Sequence, residues 1–153
     1  MAATKSKDTE IRVRVSLFFV QGRKILLAKH VKNNDEYYLL PGGGVDPGES
    51  MVSALQRELK EEGGFSVEGL RLQAVCESIH PKGERHIVHV VFKGEKLIGV
   101  PHSTGLDERV ADISFMSLDD FFTAKFYPDI KEYLLEAAET PVAPLYRQIK
   151  WIK

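Results

Sequence analysis

Alternating apolar and polar positions predict several β-strands along this chain. From residue 13 to residue 19 every second side chain is apolar, so one face of an extended strand is hydrophobic. The dipeptide Gln21-Gly22 is a short turn signal, and residues 24–30 resume the strand pattern, which predicts a β-hairpin. Further strands are predicted at residues 37–40, 70–78, 86–92 and 113–116.

Helical spacing follows the glycine run that ends the early strands. Residues 50–63 predict a helix whose apolar side chains, Val52, Leu55 and Leu59, would pack on the sheet. Ser117 is placed to cap a short helix, and residues 129–138 predict another one after Pro128. Strands interrupted by one early helix and closed by C-terminal helices indicate a layered domain of the mixed α/β (α+β) class.

The domain limits follow from composition. Residues 1–10 are polar and are predicted to be a flexible tail, whereas residues 11–153 contain no Pro/Gly/Ser linker and predict a single domain. The last stretch, residues 140–153, carries Tyr146 and Trp151. The sequence leaves two possibilities for it, packing back on the sheet or contributing to a dimer interface.

Charge and cysteine content narrow the possible partners. The formal net charge is −1, so no bulk basic field favours nucleic acid, although a small anionic ligand remains possible. The only cysteine, Cys76, follows apolar neighbours and is predicted to fill a strand position in the core. The first ten residues lack a signal-peptide core, and no apolar run approaches the roughly 18 residues of a membrane span. These features predict a cytoplasmic protein without a membrane partner.

Three carboxylates on the early helix are the strongest chemical signal. Glu58, Glu61 and Glu62 stand at i, i+3 and i+4, so they share one face near the C-terminal end of the helix. Like charges at that spacing, beside the negative end of the helix dipole, destabilise the helix unless a cation joins them. Clustered carboxylate oxygens suit Mg²⁺ or Mn²⁺. A solvated acidic helix face would give the same spacing, so the pattern alone leaves both interpretations open.

The surrounding residues add orienting and permissive roles. Arg57 lies among the acids and can bond a carboxylate through two hydrogen bonds, with Glu49 at the helix entrance as its predicted partner. The glycines at 42–44 allow the backbone to approach a ligand closely. Gly64 is placed for a left-handed helix stop.

The whole segment, residues 43–65, resembles the Nudix box. That pattern is Gly, five residues, Glu, seven residues, Arg-Glu-apolar-any-Glu-Glu-any-Gly-apolar. Every fixed position is matched, by Gly43, Glu49, Arg57, Glu58, Glu61, Glu62 and Gly64, with Leu59 and Phe65 at the apolar positions. The stretch 112–121 before the last helices also resembles the layout of the family.

The resemblance implies a Nudix-like α/β/α sandwich with a mixed β-sheet. It also implies a Mg²⁺- or Mn²⁺-dependent pyrophosphohydrolase that cleaves a nucleoside diphosphate linked to another moiety. Carried over by position, Glu58, Glu62 and the Gly43 carbonyl would bind metal, and Glu61 would bind metal or activate water. Arg57 and Glu49 would orient Glu58. A homodimer is expected from the same resemblance.

Substrate selectivity is less well defined by the sequence. ADP-ribose or a nucleotide sugar is favoured slightly; a (d)NTP, a dinucleoside polyphosphate or a non-catalytic nucleotide-sensing role remain alternatives. Arg85 and Tyr38 are candidate substrate contacts, through phosphate and base respectively. A general base outside the box is sought among the later acids Glu84, Glu95 and Glu108.

Overall fold

The computed structural model describes residues 10–139 and 145–149. These residues form strands and helices in a mixed arrangement. The strands are β1 (Ile11–Phe18), β2 (Val20–Gln21), β3 (Lys24–Lys32), β4 (Asp35–Leu39), β5 (Gly42–Gly44), β6 (Ser66–Glu68), β7 (Arg71–Ile79), β8 (His86–Lys93), β9 (Lys96–Ile98), β10 (Val110–Ser117) and β11 (Leu145–Ile149). The helices are α1 (Met51–Gly63), α2 (Leu118–Thr123) and α3 (Lys131–Glu139).

The larger sheet is mixed, as expected. Its order is β11-β7-β8-β1-β5, with β1 parallel to β8 and antiparallel to β5. Strand β11 runs parallel to β7, which is antiparallel to β8. A second, antiparallel sheet has the order β10-β3-β2, with β4 also paired to β3. Strands β6 and β9 pair separately.

Helices cover both faces of the sheets. On one side Val15 and Leu17 pack in a core cluster with Leu55 and Leu59 of α1. On the other side Phe18 packs in a cluster to which α2 and α3 contribute. The C-terminal half of β1 is therefore buried on both faces, and the three layers confirm the predicted α/β/α sandwich.

The predicted hairpin between the first two strands is wrong for most of its length. Only Val20 and Gln21 pair with Ile25 and Lys24, whereas β1 lies between β8 and β5 in the other sheet. A segment that is buried on both faces, as residues 15–18 of β1 are, lies best in the middle of a sheet. The chain therefore passes from the larger sheet to the second sheet between β1 and β2, before the turn that joins β2 to β3.

Helix α1 forms where the sequence predicts it. Ser50 caps its start by accepting a hydrogen bond from the Ser53 amide at 3.1 Å, and Gly64 ends it in the left-handed region at φ 65°. Leu55 and Leu59 are buried as predicted, but Val52 is 44% exposed. It lies in the first turn, before the helix is seated on the sheet.

The remaining predictions are mostly confirmed. Ser117 caps α2, and Cys76 is buried, which raises its thiol pKa to about 12. Residues 145–149 of the C-terminal stretch pair with β7 on the sheet; Trp151 and the tail at residues 1–9 lie outside the described residues. The glycines at 42–44, predicted to end the strand before them, form a short strand of their own at the edge of the larger sheet.

No helix among the described residues combines the length and apolarity required to span a bilayer.

Candidate functional site

Arg57 is the centre of an ion-pair network at the entrance of α1. Its Nη2 and Nε donate to Glu49 at 2.6 and 3.1 Å, and its Nη1 donates to Glu58 at 3.0 Å and to Glu61 at 3.3 Å. A further hydrogen bond reaches the Gly44 carbonyl at 3.1 Å. The Arg57 guanidinium lowers the pKa of Glu49 to about 2. The predicted pairing of Arg57 with Glu49 is present, and it fixes the loop to the helix.

Glu58 lies directly over the backbone of β5. A Cβ added to Gly43 would stand 2.3 Å from the Glu58 carboxyl carbon, which is far inside van der Waals contact. The same atom on Gly44 would meet nothing within 4 Å. Glycine is therefore required at 43 by the close approach of a carboxylate, and the side chain of Glu58 is only 15% exposed.

The Glu62 carboxyl group lies beside that of Glu58. Burial, and then the negative charge of Glu58, raise the pKa of Glu62 to about 8, while the Arg14 guanidinium opposes the shift. Two carboxylates held together in a partly buried place disfavour each other's charge. This is the electrostatic imbalance that a bound cation would relieve. Glu61 is more exposed, at 49%, and lies toward Arg57.

A loop from β9 to β10, residues 99–109, closes the C-terminal end of α1. The backbone amides of His102 and Thr104 donate to the carbonyls of Gly63 and Glu62 at 3.0 and 3.1 Å, and the Thr104 hydroxyl donates to the Glu61 carbonyl. Helix ends leave such carbonyls without intrahelical partners. The loop satisfies them and is thereby held beside the carboxylates.

Two cavities meet at these carboxylates. The smaller one, about 460 Å³, lies between α1 and this loop. It is lined by Glu58, Glu61, Glu62, Leu106, Asp107, Glu108 and Arg109. The larger one, about 920 Å³, extends from Glu58 and Glu62 past Gly43 and Gly44. Because the glycines carry no side chains, the carboxylates reach this cleft across bare backbone.

The larger cleft has a basic and aromatic lining. Arg12 and Arg14 of β1 line it, together with Lys32 and Arg85. Arg14 also donates to the Leu40 carbonyl at 3.1 Å. Tyr37 and Tyr127 also line it, with their rings 5.3 Å apart. A cleft lined by both cations and aromatic rings suits a phosphorylated, ring-containing ligand.

Two buried histidines complete the lining. His30 lies 5.5 Å from the Tyr37 ring, and the ring Nε2 of His89 is 3.3 Å from the Ser78 hydroxyl. Burial lowers the pKa of each to about 4, with Arg14 contributing in both cases. Both rings are therefore neutral near pH 7 and add no positive charge to the cleft.

Of the two candidate substrate contacts, Arg85 and Tyr38, the structure places only Arg85 in the larger cleft. Arg85 lines the larger cleft. Tyr38 packs against the core cluster that includes Phe126 and Leu40, and the neighbouring Tyr37 faces the cleft instead. Successive residues of a strand point to opposite faces, so only one of the two tyrosines reaches the ligand side.

The three candidate general bases, Glu84, Glu95 and Glu108, lie in different parts of the structure. Glu108 lines the smaller cavity with the box carboxylates. Glu95 would contact a Cβ on Gly69, and Glu84 lies 3.9 Å from His80 on the turn after β7. Of these three acids, Glu108 is the one that shares a cavity with Glu58 and Glu62.

Sequence reasoning missed Arg14, His30, Asp107 and Arg109. The alternation of β1 puts Arg14 on the face opposite Val13 and Val15, which on its own predicts exposure to solvent. The signal that could have predicted burial of Arg14 is Phe18, a large apolar residue that lies further along the same face of β1. Nothing in the local sequence links Asp107 and Arg109 to the box helix, because the contact depends on the path of the loop.

The donor set fits a hard divalent cation. Glu58 and Glu62 offer carboxylate oxygens beside the Cβ-free backbone of Gly43, and oxygen donors of this kind suit Mg²⁺ or Mn²⁺. Within residues 10–139 and 145–149, no three His, Cys, Asp or Glu side chains converge as they stand into a metal-binding group. Two side chains with a backbone carbonyl and water would be the expected ligands, since Mg²⁺ usually keeps several waters.

Comparison with known proteins identifies the family. The model of the NUDIX domain matches residues 10–137. The ADP-ribose pyrophosphatase of Methanocaldococcus jannaschii is 32% identical over 126 residues, which cover 80% of this chain and 72% of that protein. The RNA pyrophosphohydrolase of Pelagibacter ubique is 32% identical over 73 residues, 47% of this chain and only 45% of that relative.

Solved structures extend the similarity to the fold. A NUDIX hydrolase from Nitrosomonas europaea superposes with a TM-score of 0.75 at 20% identity, covering 86% of this chain and 90% of that one. The alignments support the predicted enzyme class, a pyrophosphohydrolase. With its box, its three layers and a family match over most of its length, the chain belongs to the NUDIX domain family.

Proposed function

We propose that this protein is a metal-dependent pyrophosphohydrolase that cleaves a nucleoside diphosphate linked to another moiety. The observation that carries the proposal is the meeting of the Glu58 and Glu62 carboxylates with a 920 Å³ cleft across the glycine strand. Ligand clefts of this kind are commonly 300–1,000 Å³. The cleft is therefore large enough for a nucleotide with a second group.

Glu58, Glu62 and the Gly43 carbonyl would hold Mg²⁺ or Mn²⁺. Such an ion, when bound, neutralises charge on the pyrophosphate and makes water more acidic. The chain itself supplies orientation: Arg57 holds Glu58, and Glu49 holds Arg57. Glu61 or Glu108 would accept the proton of the attacking water, since both line the smaller cavity.

The substrate class we favour is ADP-ribose or a nucleotide sugar. Support comes from the ADP-ribose pyrophosphatase relative, whose similarity extends over 80% of this chain. The aromatic wall formed by Tyr37 and Tyr127 provides a surface for a base, and Arg12, Arg14 and Arg85 provide charge for phosphates.

A second candidate is hydrolysis of a free nucleoside di- or triphosphate. Support for it comes from similarity to the human 8-oxo-dGDP phosphatase NUDT18. The two chains are 38% identical over 66 residues, which are 42% of this chain and 20% of that protein. The two candidates differ in whether a second organic group occupies the far end of the larger cleft.

The decisive test is a product-release screen with Mg²⁺ and Mn²⁺. ADP-ribose, nucleotide sugars, (d)NTPs and dinucleoside polyphosphates are compared on wild type, Glu62→Gln and Glu132→Gln. Glu132 is an exposed acid on α3 and serves as the matched control. We expect cleavage of ADP-ribose or a nucleotide sugar by wild type and Glu132→Gln only. Binding of one compound without any turnover would favour a nucleotide-sensing role.

The cytoplasmic location and the homodimer remain predictions. Light scattering after size-exclusion chromatography tests the homodimer against the 17.2 kDa monomer mass.

A further inference from the structure

Arg109 is held in one direction at the boundary between the two cavities. Its Nε and Nη2 donate to the two carboxylate oxygens of Asp107 at 3.1 and 3.0 Å, and its backbone amide donates to the same carboxylate at 3.0 Å. Its carbonyl accepts a hydrogen bond from the Val31 amide at 3.0 Å. Backbone and guanidinium are both fixed, yet 68% of the side chain is exposed.

The guanidinium lies among groups that belong to the proposed active site. Arg109 lines both the cavity of the box carboxylates and the larger cleft. Asp107 is the main cause of the raised pKa of Arg109, and Tyr37 and Glu62 contribute through their charge. Its Nη1 has no hydrogen-bond partner in the described part of the chain and is available to a ligand.

An ion pair at a loop can also be purely structural. Arg23 and Asp119 form such a pair, 3.8 Å apart, with both side chains at least 80% exposed and neither lining a cavity described above. Arg109 differs because it lines both cavities and because its partner uses two of the guanidinium nitrogens, which leaves Nη1 for a ligand. A planar guanidinium with a free nitrogen is well suited to an oxyanion such as phosphate.

We infer that Arg109 binds a phosphate of the nucleoside diphosphate and that Asp107 is the positioning residue that holds its guanidinium ready. The inference rests on the function proposed for the same cleft. Asp107 has already restricted the Arg109 side chain, so this side chain loses little conformational freedom on binding. Preorganised groups lose less entropy when the ligand binds. The residue thereby connects the metal-binding carboxylates to the wall of the nucleotide cleft.

The test is calorimetric titration of ADP in the presence of Mg²⁺. Arg109→Gln is expected to weaken ADP binding about tenfold to a hundredfold, the usual effect of losing a charged hydrogen bond. Arg109→Lys keeps the charge without the planar fork and is expected to recover part of the loss. Asp107→Asn is expected to weaken binding less, and to add nothing to Arg109→Gln, because it acts through the arginine.

Arg23→Gln is the matched control and is expected to leave the ADP affinity unchanged. A wild-type affinity in folded Arg109→Gln, or an additive loss in the double variant, would overturn the inference. Failure of the wild-type protein to bind ADP would overturn it as well. If Arg109→Gln does not fold, Arg109→Lys and Asp107→Asn decide. ADP binding through Arg109 without turnover of any compound would leave this inference standing and overturn the hydrolase proposal alone.

Discussion

Arg57 binds Glu49 through two nitrogens, with Nη2 2.6 Å from Oε1 and Nε 3.1 Å from Oε2. The same guanidinium donates from Nη1 to Glu58 at 3.0 Å. The loop before α1 and a proposed metal ligand on α1 are thus joined through one planar group. A change at Glu49 should be transmitted to Glu58 through this connection.

Replacing Glu49 by Gln is expected to lower kcat about tenfold or more with a smaller effect on KM. Arg57 loses a charge-assisted partner, so Glu58 is held less firmly. Steady-state kinetics on the substrate found in the screen provides the measurement, with Glu132→Gln as the control. Unchanged kcat in Glu49→Gln would separate the ion pair from the reaction.

The same pair predicts a pH dependence of stability. The pKa of Glu49 is about 2 in the folded protein and 4.5 ordinarily, so the folded state binds fewer protons between these values. Its contribution is complete above pH 4.5 and is lost as the pH falls toward 2. Urea midpoints across this range should fall less steeply in Glu49→Gln; equal slopes would contradict the assignment.

Gly43→Ala and Gly44→Ala make a matched pair of variants. A methyl group at 43 would overlap the Glu58 carboxyl group, whereas at 44 it enters open space. We expect Gly43→Ala to lose metal affinity and activity by at least tenfold, while Gly44→Ala stays near wild type. Mg²⁺ titration and kinetics measure both, and equal effects of the two substitutions would show that Glu58 does not need the contact.

The raised pKa of Glu62 predicts the opposite dependence of stability on pH in the metal-free protein. Its pKa is raised from 4.5 to about 8, so the folded state binds more protons and stability falls as pH rises through this window. Mg²⁺ requires the carboxylate, so its stabilising effect should grow from pH 6 to pH 8. Thermal unfolding with and without Mg²⁺ tests this, and Glu62→Gln should remove the trend. The same Mg²⁺ effect at both pH values would be inconsistent with Glu62 as a ligand.

Thr104 is expected to hold the loop of Glu108 and Arg109 against α1. Its hydroxyl donates to the Glu61 carbonyl, and its amide donates to the Glu62 carbonyl. Thr104→Val removes the hydroxyl hydrogen bond and should lower kcat several-fold. Thr104→Ser restores the donor and should return most of the activity. Hydrogen exchange of the loop provides an independent measurement, and similar behaviour of Val and Ser variants would argue against a role for the hydroxyl.

Much of the fold was accessible from local patterns. Helix α1 was predicted within one residue because Ser50, Gly64 and the spacing of Leu55 and Leu59 all act over short distances. The mixed layered class followed from the order of strands and helices. The hairpin was wrong, because the partner of β1 is chosen by burial on both its faces and not by proximity along the chain.

The proposed site divides in the same way. The sequence by itself determined the carboxylate row, because helical geometry places Glu58, Glu61 and Glu62 on one face. It also predicted the pairing of Arg57 with Glu49, which lies close to it along the chain at the helix entrance. Only the tertiary structure decided which tyrosine faces the cleft, that Gly43 supports Glu58, and that Arg109 lies beside the carboxylates. Those relationships join residues distant along the chain, and their energies depend on packing and charge that form only when the sheets and helices come together.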